Sequence, residues 1–406
     1  MVHVGIDWAD KFHWLCIVDD QGEKLCSLSF AHSQEGFEKA QDAIVKHSAG
    51  GEARIAIETK DSLLVDFLLE LGYSLFFLSP KQTDRFRDRH RLSTAISDSF
   101  DAYVLADAVR TDVHLFRMLP PLDGVSLRLR VLTRSRERLV KRKVAVQNEI
   151  TSHLKRYFPV ALELFGGTDN AEAIAFLLEC PTHEQAKAVS KGRIESVLKK
   201  PGGASPAIAK RHAARVYTKL REPQMSAAPN VVDAYPFAVQ SLLRQLASIL
   251  EEIAVLEQQI ADIYKDHANK DIIESLPGVA EVLGPVIAAE VGEDISRFGS
   301  AKTLKAFVGS SPVTRRSGGH REVLFRRACN RHLRRALHLA SLASLITAEW
   351  AKELFDRLRS EGKSYGRALR AVADQIIEML YIMLSRRTLY DEEYHRRMKA
   401  LHGQAR

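Results

Sequence analysis

Four carboxylates and one serine stand in surroundings that can do chemistry. Asp7 ends the apolar run Val2 to Ile6, Glu58 ends the apolar run Ala53 to Ile57, and Asp98 and Asp101 lie three residues apart on one face of a predicted helix. Carboxylates converging on a small volume suit hard divalent cations, magnesium or manganese, which take oxygen ligands and in pairs serve phosphoryl transfer. Taken singly, either aspartate of the pair is more readily a solvated surface residue or a cap, with Asp98 as N-cap and Asp101 in the first turn. An acid closing an apolar strand is costly without a partner, however, and two such strands plus a helical pair favour a shared two-metal site.

The serine is Ser317, in the segment Phe307-Val-Gly-Ser-Ser-Pro-Val-Thr-Arg-Arg-Ser-Gly-Gly-His-Arg321. A hydroxyl that attacks a phosphodiester needs room for a bulky backbone, positive charge on the nonbridging oxygens and a way to lose its proton. Gly318 and Gly319 give room, and Arg315, Arg316 and Arg321 give charge. No base is evident: His320 is nearby, and an arginine or metal-bound water could lower the barrier instead. From the residues alone, Ser-Gly-Gly in a basic loop is either a turn that grips phosphate or an exposed nucleophile. Asn330, Arg331, Arg334 and Arg335 then open a helix whose apolar face is Leu333, Ala336, Leu337 and Ala340, leaving its arginines for a phosphate backbone.

The elements that must position the acids follow from period and punctuation. Val2 to Ile6, Phe12 to Val18 and Lys24 to Phe30 read as strands, with Gly22 at a hairpin. A helix is predicted over Gln34 to His47, a strand over Ala53 to Ile57, a helix over Asp61 to Leu71 stopped by Gly72, and a strand over Tyr73 to Leu78. The order βββαβαβα is the ribonuclease-H-like order, in which the first and fourth strands are neighbours.

Farther on, Leu242, Leu246, Ile249, Ile253, Leu256, Ile260 and Ile263 follow alternating steps of four and three, a heptad seam. Leu129, Leu132, Leu139, Val146, Ile150 and Leu154 form a second seam, with Arg136 and Lys143 where apolar residues are expected. The two predict either an antiparallel hairpin arm within one chain or a dimer seam. Gly166 to Pro229, rich in Ala, Lys, Gly and Pro, reads as a partly helical insert at the arm tip, without chemistry. Leu276-Pro277-Gly278-Val279 predicts a tight turn ahead of a helix. It resembles a helix-hairpin-helix grip on phosphate, except that Ala280 stands where a second glycine is usual and Glu281 would repel an anion. A purely structural hairpin fits as well.

The 406 residues allow two or three domains, and a formal net charge of +8 favours a polyanionic partner. Arg128, Arg130, Arg134, Arg136, Arg138, Lys141, Arg142 and Lys143 crowd one segment against the single Glu137, and a second basic run spans Arg315 to Arg335. Such clusters neutralise phosphates, whereas a solvated helix face mixes both signs. Cys16, Cys26, Cys180 and Cys329 are scattered; the nearby His13, His183 and His332 make no paired motif, so neither a disulfide framework nor a zinc site is expected. No apolar run is long enough to span a bilayer and no secretory signal opens the chain, so a cytoplasmic protein is expected. A Gly-x-x-x-x-Gly-Lys-Ser/Thr loop for ATP is absent.

Taken in order, the acids Asp7, Glu58, Asp98 and Asp101, the heptad arm, Leu-Pro-Gly, Phe-Val-Gly-Ser-Ser-Pro, Arg-Ser-Gly-Gly and Asn-Arg-His-Leu-Arg-Arg-Ala-Leu resemble the DEDD transposases, the "IS one-ten" family of insertion sequences, whose relatives include pilin-gene DNA invertases. The likeness covers nearly the whole chain except 166–229. It implies an α/β RNase H-like (RuvC-like) domain over 1–118 that holds magnesium through the four acids, and a coiled-coil arm from 119–165 and 230–268 carrying the insert. It further implies a mainly helical transposase domain over 269–390 and a basic tail over 391–406. The same resemblance selects Ser317 as the residue that links covalently to DNA. It also implies a homo-oligomer, dimer or tetramer, and a noncoding bridge RNA that pairs with donor and target DNA. An invertase of the same chemistry, a RuvC-like nuclease using only the acids, and a non-catalytic architectural binder are the other readings.

Overall fold

The computed structural model describes residues 1–60, 62–90, 97–119, 123–199, 206–223, 227–318 and 320–393. The chain divides into two compact units, Met1–Leu122 and Asp123–Arg406.

In the first unit the strands are β1 (Val2–Asp7), β2 (Phe12–Val18), β3 (Lys24–Ala31), β4 (Ala53–Ile57), β5 (Ser74–Phe77) and β6 (Arg117–Leu119), and the helices are α1 (Gln34–Ser48), α2 (Leu63–Glu70), α3 (Pro80–His90) and α4 (Asp98–Asp112). They form one mixed sheet of order β3-β2-β1-β4-β5-β6, with β1, β4 and β5 mutually parallel. The three-residue β6, antiparallel to β5, was too short to leave a period in the sequence.

Alternation splits the strand side chains between two layers. Val2, Val4 and Ile6 pack with Phe37, Ala40 and Ile44 of α1 and Leu64, Val65 and Leu68 of α2. On the other face Ala56 packs with Leu105 and Ala108 of α4. That layer depends on Gly5, because a Cβ there would lie 2.0 Å from the Ala102 carbonyl oxygen and 2.4 Å from the Ala106 amide. Its missing side chain lets α4 lie directly across β1. Gly5→Ala is therefore expected to lower the thermal midpoint, at a cost of about 1–3 kcal/mol, since helix backbone rather than a flexible side chain must yield; an unchanged midpoint would show that α4 can retreat freely.

In the second unit, α5 (Gly124–Tyr157) and α11 (Pro229–Tyr264) enclose the short helices α6 (Ala161–Leu164), α7 (Ala171–Glu179), α8 (His183–Ala188), α9 (Lys191–Lys199) and α10 (Pro206–Lys219). Beyond them come α12 (Lys270–Glu274), α13 (Leu283–Val291), α14 (Ala301–Val308), a hairpin of β7 (Val313–Ser317) and β8 (His320–Leu324), α15 (Arg331–Thr347), α16 (Glu349–Ser360) and α17 (Tyr365–Arg386).

Helices α5 and α11 pair antiparallel within one chain: Ser126 bonds His267, Arg136 pairs with Glu257, and His153 packs on Tyr235. Both seams face inward, with Leu129, Ile150 and Leu154 buried on one helix and Leu242, Leu246, Ile253 and Ile260 on the other. The two basic interruptions are answered by acids, Arg136 by Glu257 and Lys143 by Asp169. At the far end α6 to α10 wrap the helix pair around a core of their own, including Phe158, Phe176, Leu198 and Val216 with Val239 and Leu243. At the near end a larger core joins α12 to α17 to Leu129 of α5 and Ile260 and Tyr264 of α11.

Candidate functional site

The β1–β4 register pairs Ile6 with Ile57, so Asp7 and Glu58 are the next residues on parallel neighbours and emerge together at the carboxyl ends of their strands. By alternation both share the face of Gly5 and Ala56, where α4 lies. The first turn of α4 carries Asp98, exposed, and Asp101, buried; Ser97 occupies the N-cap position, and neither aspartate does. The Gly5 contact is thus what brings the helical acids over the strand acids.

The charge of the other three acids reaches Asp7. The Asp7 carboxyl is pushed up to about 7, first by burial and then by Asp101, Asp98 and Glu58 in that order, with Arg87 opposing. Arg87, on α3, was not foreseen from the sequence. Its Nε donates to Asp101 Oδ1 at 2.8 Å and its Nη1 to Asp84 Oδ1 at 2.8 Å. A cationic side chain therefore already answers part of the negative charge. The donor set is all carboxylate oxygen, and Arg87 offsets only part of its negative charge at Asp7, which fits a hard divalent cation.

Among the described residues, one trio of His, Cys, Asp or Glu ligand atoms all lies within 4.8 Å of one another: Asp123, His267 and Glu293. Its atoms are already committed. Asp123 accepts from the amides of Ser126 and Glu293, the His267 ring bonds Ser126 Oγ and the Asn269 amide, and Glu293 accepts from the Ala268 amide. Burial holds the imidazole pKa below its ordinary value, against the pull of Asp123 and Glu293. The trio caps α5 and closes the turn after α11. No three of Asp7, Glu58, Asp98 and Asp101 bring ligand atoms within that distance of one another, and Asp101 is held by Arg87.

Ser317 lies at the tip of the β7–β8 hairpin, exposed, and directly opposite His320 across a two-residue turn. Gly318 has φ +55 and open space around its Cα, and Gly319 lies outside the described residues. Opposed residues share a face of a hairpin, so Ser317 and His320 project together with Arg315 and Glu322, two positions back. Arg316 pairs with Arg321 and both project to the opposite face. The positive charge beside Ser317 is thus Arg315 in place of all three arginines.

Several residues expected on a nucleic-acid surface hold the protein together instead. Arg134 grips the buried Glu290 in two bonds of 2.8 and 3.0 Å, and Arg130 lies 3.6 Å from the same carboxylate. Arg334 donates to the carbonyls of Val308 and Arg326 beside the Phe325 ring, tying the hairpin neck to α15. Gly278, at φ +77, is pressed against α15: a Cβ would lie 2.2 Å from the Ala340 carbonyl oxygen. Helix packing therefore accounts for that glycine, and the Leu283 and Gly284 amides at the start of α13 bond Ala280 rather than facing outward unsatisfied. Arg128, Arg138, Arg142, Arg315, Arg316, Arg321 and Arg331 are exposed, while Lys141 and Arg335 are exposed but paired with Glu137.

Comparison with known proteins finds relatives along almost the whole chain. The model of the DEDD transposases of IS110, described as "Transposase", matches residues 4–159, and that of "Transposase IS116/IS110/IS902 family" matches 270–356. The mini-circle putative transposase for IS117 of Streptomyces coelicolor is 32% identical over 97% of this chain and 96% of its own length. The insertion element IS110 43.6 kDa protein of the same organism is 30% identical over 73% of this chain and 72% of its own. The insertion element IS900 42 kDa protein of Mycobacterium paratuberculosis is 25% identical over 96% and 97%. With likeness at this level along almost its full length, and with strand-end acids in the first matched segment, the chain belongs to the IS110 family of insertion-sequence transposases, enzymes that cleave and rejoin DNA.

Proposed function

We propose that this transposase rejoins DNA through a covalent phosphoserine at Ser317, with Asp7, Glu58, Asp98 and Asp101 holding magnesium or manganese. The observation that carries the metal half is the charge of three acids converging on Asp7. Divalent cations held there supply Lewis-acid polarisation of a DNA phosphate. For the serine half, support comes from the exposed hydroxyl at a hairpin tip with an imidazole across the turn.

In the attacking step the Ser317 Oγ–P bond forms as the P–O bond to a deoxyribose oxygen breaks. The serine proton passes to the His320 imidazole, which returns a proton to the leaving oxygen. Arg315, on the same face, offsets charge on the nonbridging oxygens. The phosphodiester energy is conserved in the serine ester, so rejoining needs no ATP.

The resemblance in sequence extends the proposal to a noncoding bridge RNA that chooses donor and target by base pairing, and to an oligomeric assembly. It also assigns the α5–α11 pair the part of a coiled-coil arm, and Leu276–Val291 that of a helix-hairpin-helix relic whose glycine now serves packing.

The test is junction PCR on cells carrying the gene in its native flanks, with denaturing gels for protein-linked DNA. Ser317→Ala and Asp7→Ala are each expected to abolish the excised or circular junction, and His320→Gln to reduce it by about 10²–10⁴-fold, the range of a general base. A junction that survives Ser317→Ala would remove the nucleophile assignment and leave the acids with water as the hydrolytic centre. An inverted junction would identify an invertase.

A further inference from the structure

We propose that the exposed face of α9 and α10, on the helical insert at the far end of the α5–α11 pair, is a binding surface for the phosphate backbone of double-stranded DNA. Nothing in the family likeness points to it, and the proposal stands apart from the serine and metal assignments.

Between Lys191 and Arg221 nine basic residues accompany a single acid, Glu195. The Ala, Gly and Pro of this segment disguise the run. In the structure α9 and α10 pack together through Ile194, Leu198, Ala213 and Val216, which turns their charged residues outward. Part of the charge is spent locally: Arg193 pairs with Glu179, Lys219 with Glu163 and Glu222, and Arg215 donates to the Leu164 carbonyl. Lys191, Lys210 and Arg211 are exposed, and no ion pair joins them to a carboxylate among the described residues.

Glu195 marks the centre of the patch. It accepts from Lys199 and feels Lys199, Lys210 and Lys191 in turn, which together hold it below its ordinary pKa. With three lysines around one carboxylate and Arg211 beside Lys210, positive charge exceeds negative among the described residues of the patch. A surface built for folding would mix its signs; a surplus displayed on a packed helix pair is what a polyanion neutralises with counterion release.

The shape of the patch selects among polyanions. Single strands are held by exposed rings on which bases stack. Among the described residues of α9 and α10, Tyr217 is the aromatic ring, and it is half-buried beneath the Arg221 guanidinium. Without a stacking platform the patch can read backbone charge alone. For an enzyme that works on DNA, this fits the duplex flanking the exchanged strands.

The decisive measurement is fluorescence anisotropy of the purified full chain on a labelled DNA duplex across a salt series. Lys191→Gln, Lys210→Gln and Arg211→Gln combined are expected to flatten the slope of log K against log salt by about 2–3 and to weaken binding about tenfold or more near physiological salt, since each phosphate contact contributes about 0.9 to the slope. Glu195→Gln is expected to do the reverse and tighten binding, a gain that misfolding cannot imitate. An unchanged slope in both variants would overturn the proposal. A change seen on duplex RNA and absent on duplex DNA would overturn the assignment of the partner.

Discussion

Asp7→Asn is expected to stabilise the first unit while destroying the enzyme. Asp7 binds its proton with a pKa of about 7 in the folded chain against 3.8 ordinarily. Between those values the folded state holds more protons than the unfolded, so stability falls as pH rises from about 4 to 7 and the full penalty is present above it. At about 1.4 kcal/mol per pKa unit, and discounted for partial exposure, the penalty is about 2–4 kcal/mol. The asparagine variant removes it. In a metal chelator at pH 8 its thermal midpoint is expected to rise by several degrees, with no gain at pH 4. Magnesium or manganese is expected to raise the midpoint of the unaltered protein and to leave that of the variant nearly unmoved, because a cation turns the repulsion among Asp7, Glu58, Asp98 and Asp101 into attraction. A variant that melts lower than the parent in chelator at pH 8 would contradict the crowding of charge around Asp7.

Glu290→Ala carries the largest expected loss. The carboxylate is fully buried on α13, held by Arg134 and Arg130 from α5 and by Asn330 Nδ2 at 2.7 Å. Asn330 also caps α15, its side-chain oxygen accepting from the Leu333 amide at 3.0 Å. Burial alone would raise the Glu290 pKa, but the two arginines and Asn330 outweigh it and hold it below the ordinary range. Truncation removes the buried carboxylate that Arg134 and Arg130 share, and breaking a buried pair in this way costs about 3–5 kcal/mol. Chemical denaturation is the readout. The sign with pH is opposite to that of Asp7: the stabilisation is complete above the ordinary carboxylate pKa and is lost as pH falls through the depressed folded value. A loss under about 1 kcal/mol would mean that the arginines simply turn to solvent.

The contrast between these two acids explains what could be read in advance. Asp7 and Glu58 were legible because a strand's end is marked by where its apolar run stops, and adjacent parallel strands bring such ends together. Glu290 was not, since one acid inside an apolar helix carries no sign of its arginine partners, which stand over 150 residues away in sequence. Arg130 and Arg134 were read as nucleic-acid contacts for the same reason: a basic helix looks alike whether it faces phosphate or a buried carboxylate. Arg87 sits on a highly charged helix, and only the packing of α3 against α4 reveals its place beside Asp101. The heptad seams predicted a paired partner for each long helix but could not choose an intrachain pairing over an intermolecular one, since both bury the same residues. Gly5 and Gly278 acquire their reasons only when a second helix backbone is seen lying against them.

The α5–α11 pair is also a ruler. With 34 and 36 residues at about 1.5 Å each, the two helices span about 50 Å, the length of roughly 15 base pairs at about 3.4 Å per step. Both are anchored at one end in the core beneath the serine hairpin and at the other in the insert, so the interval between those ends is fixed by counting helical turns. Adding or removing whole turns would lengthen or shorten that interval, while a half-turn change would swing the insert to the opposite side of the helix pair.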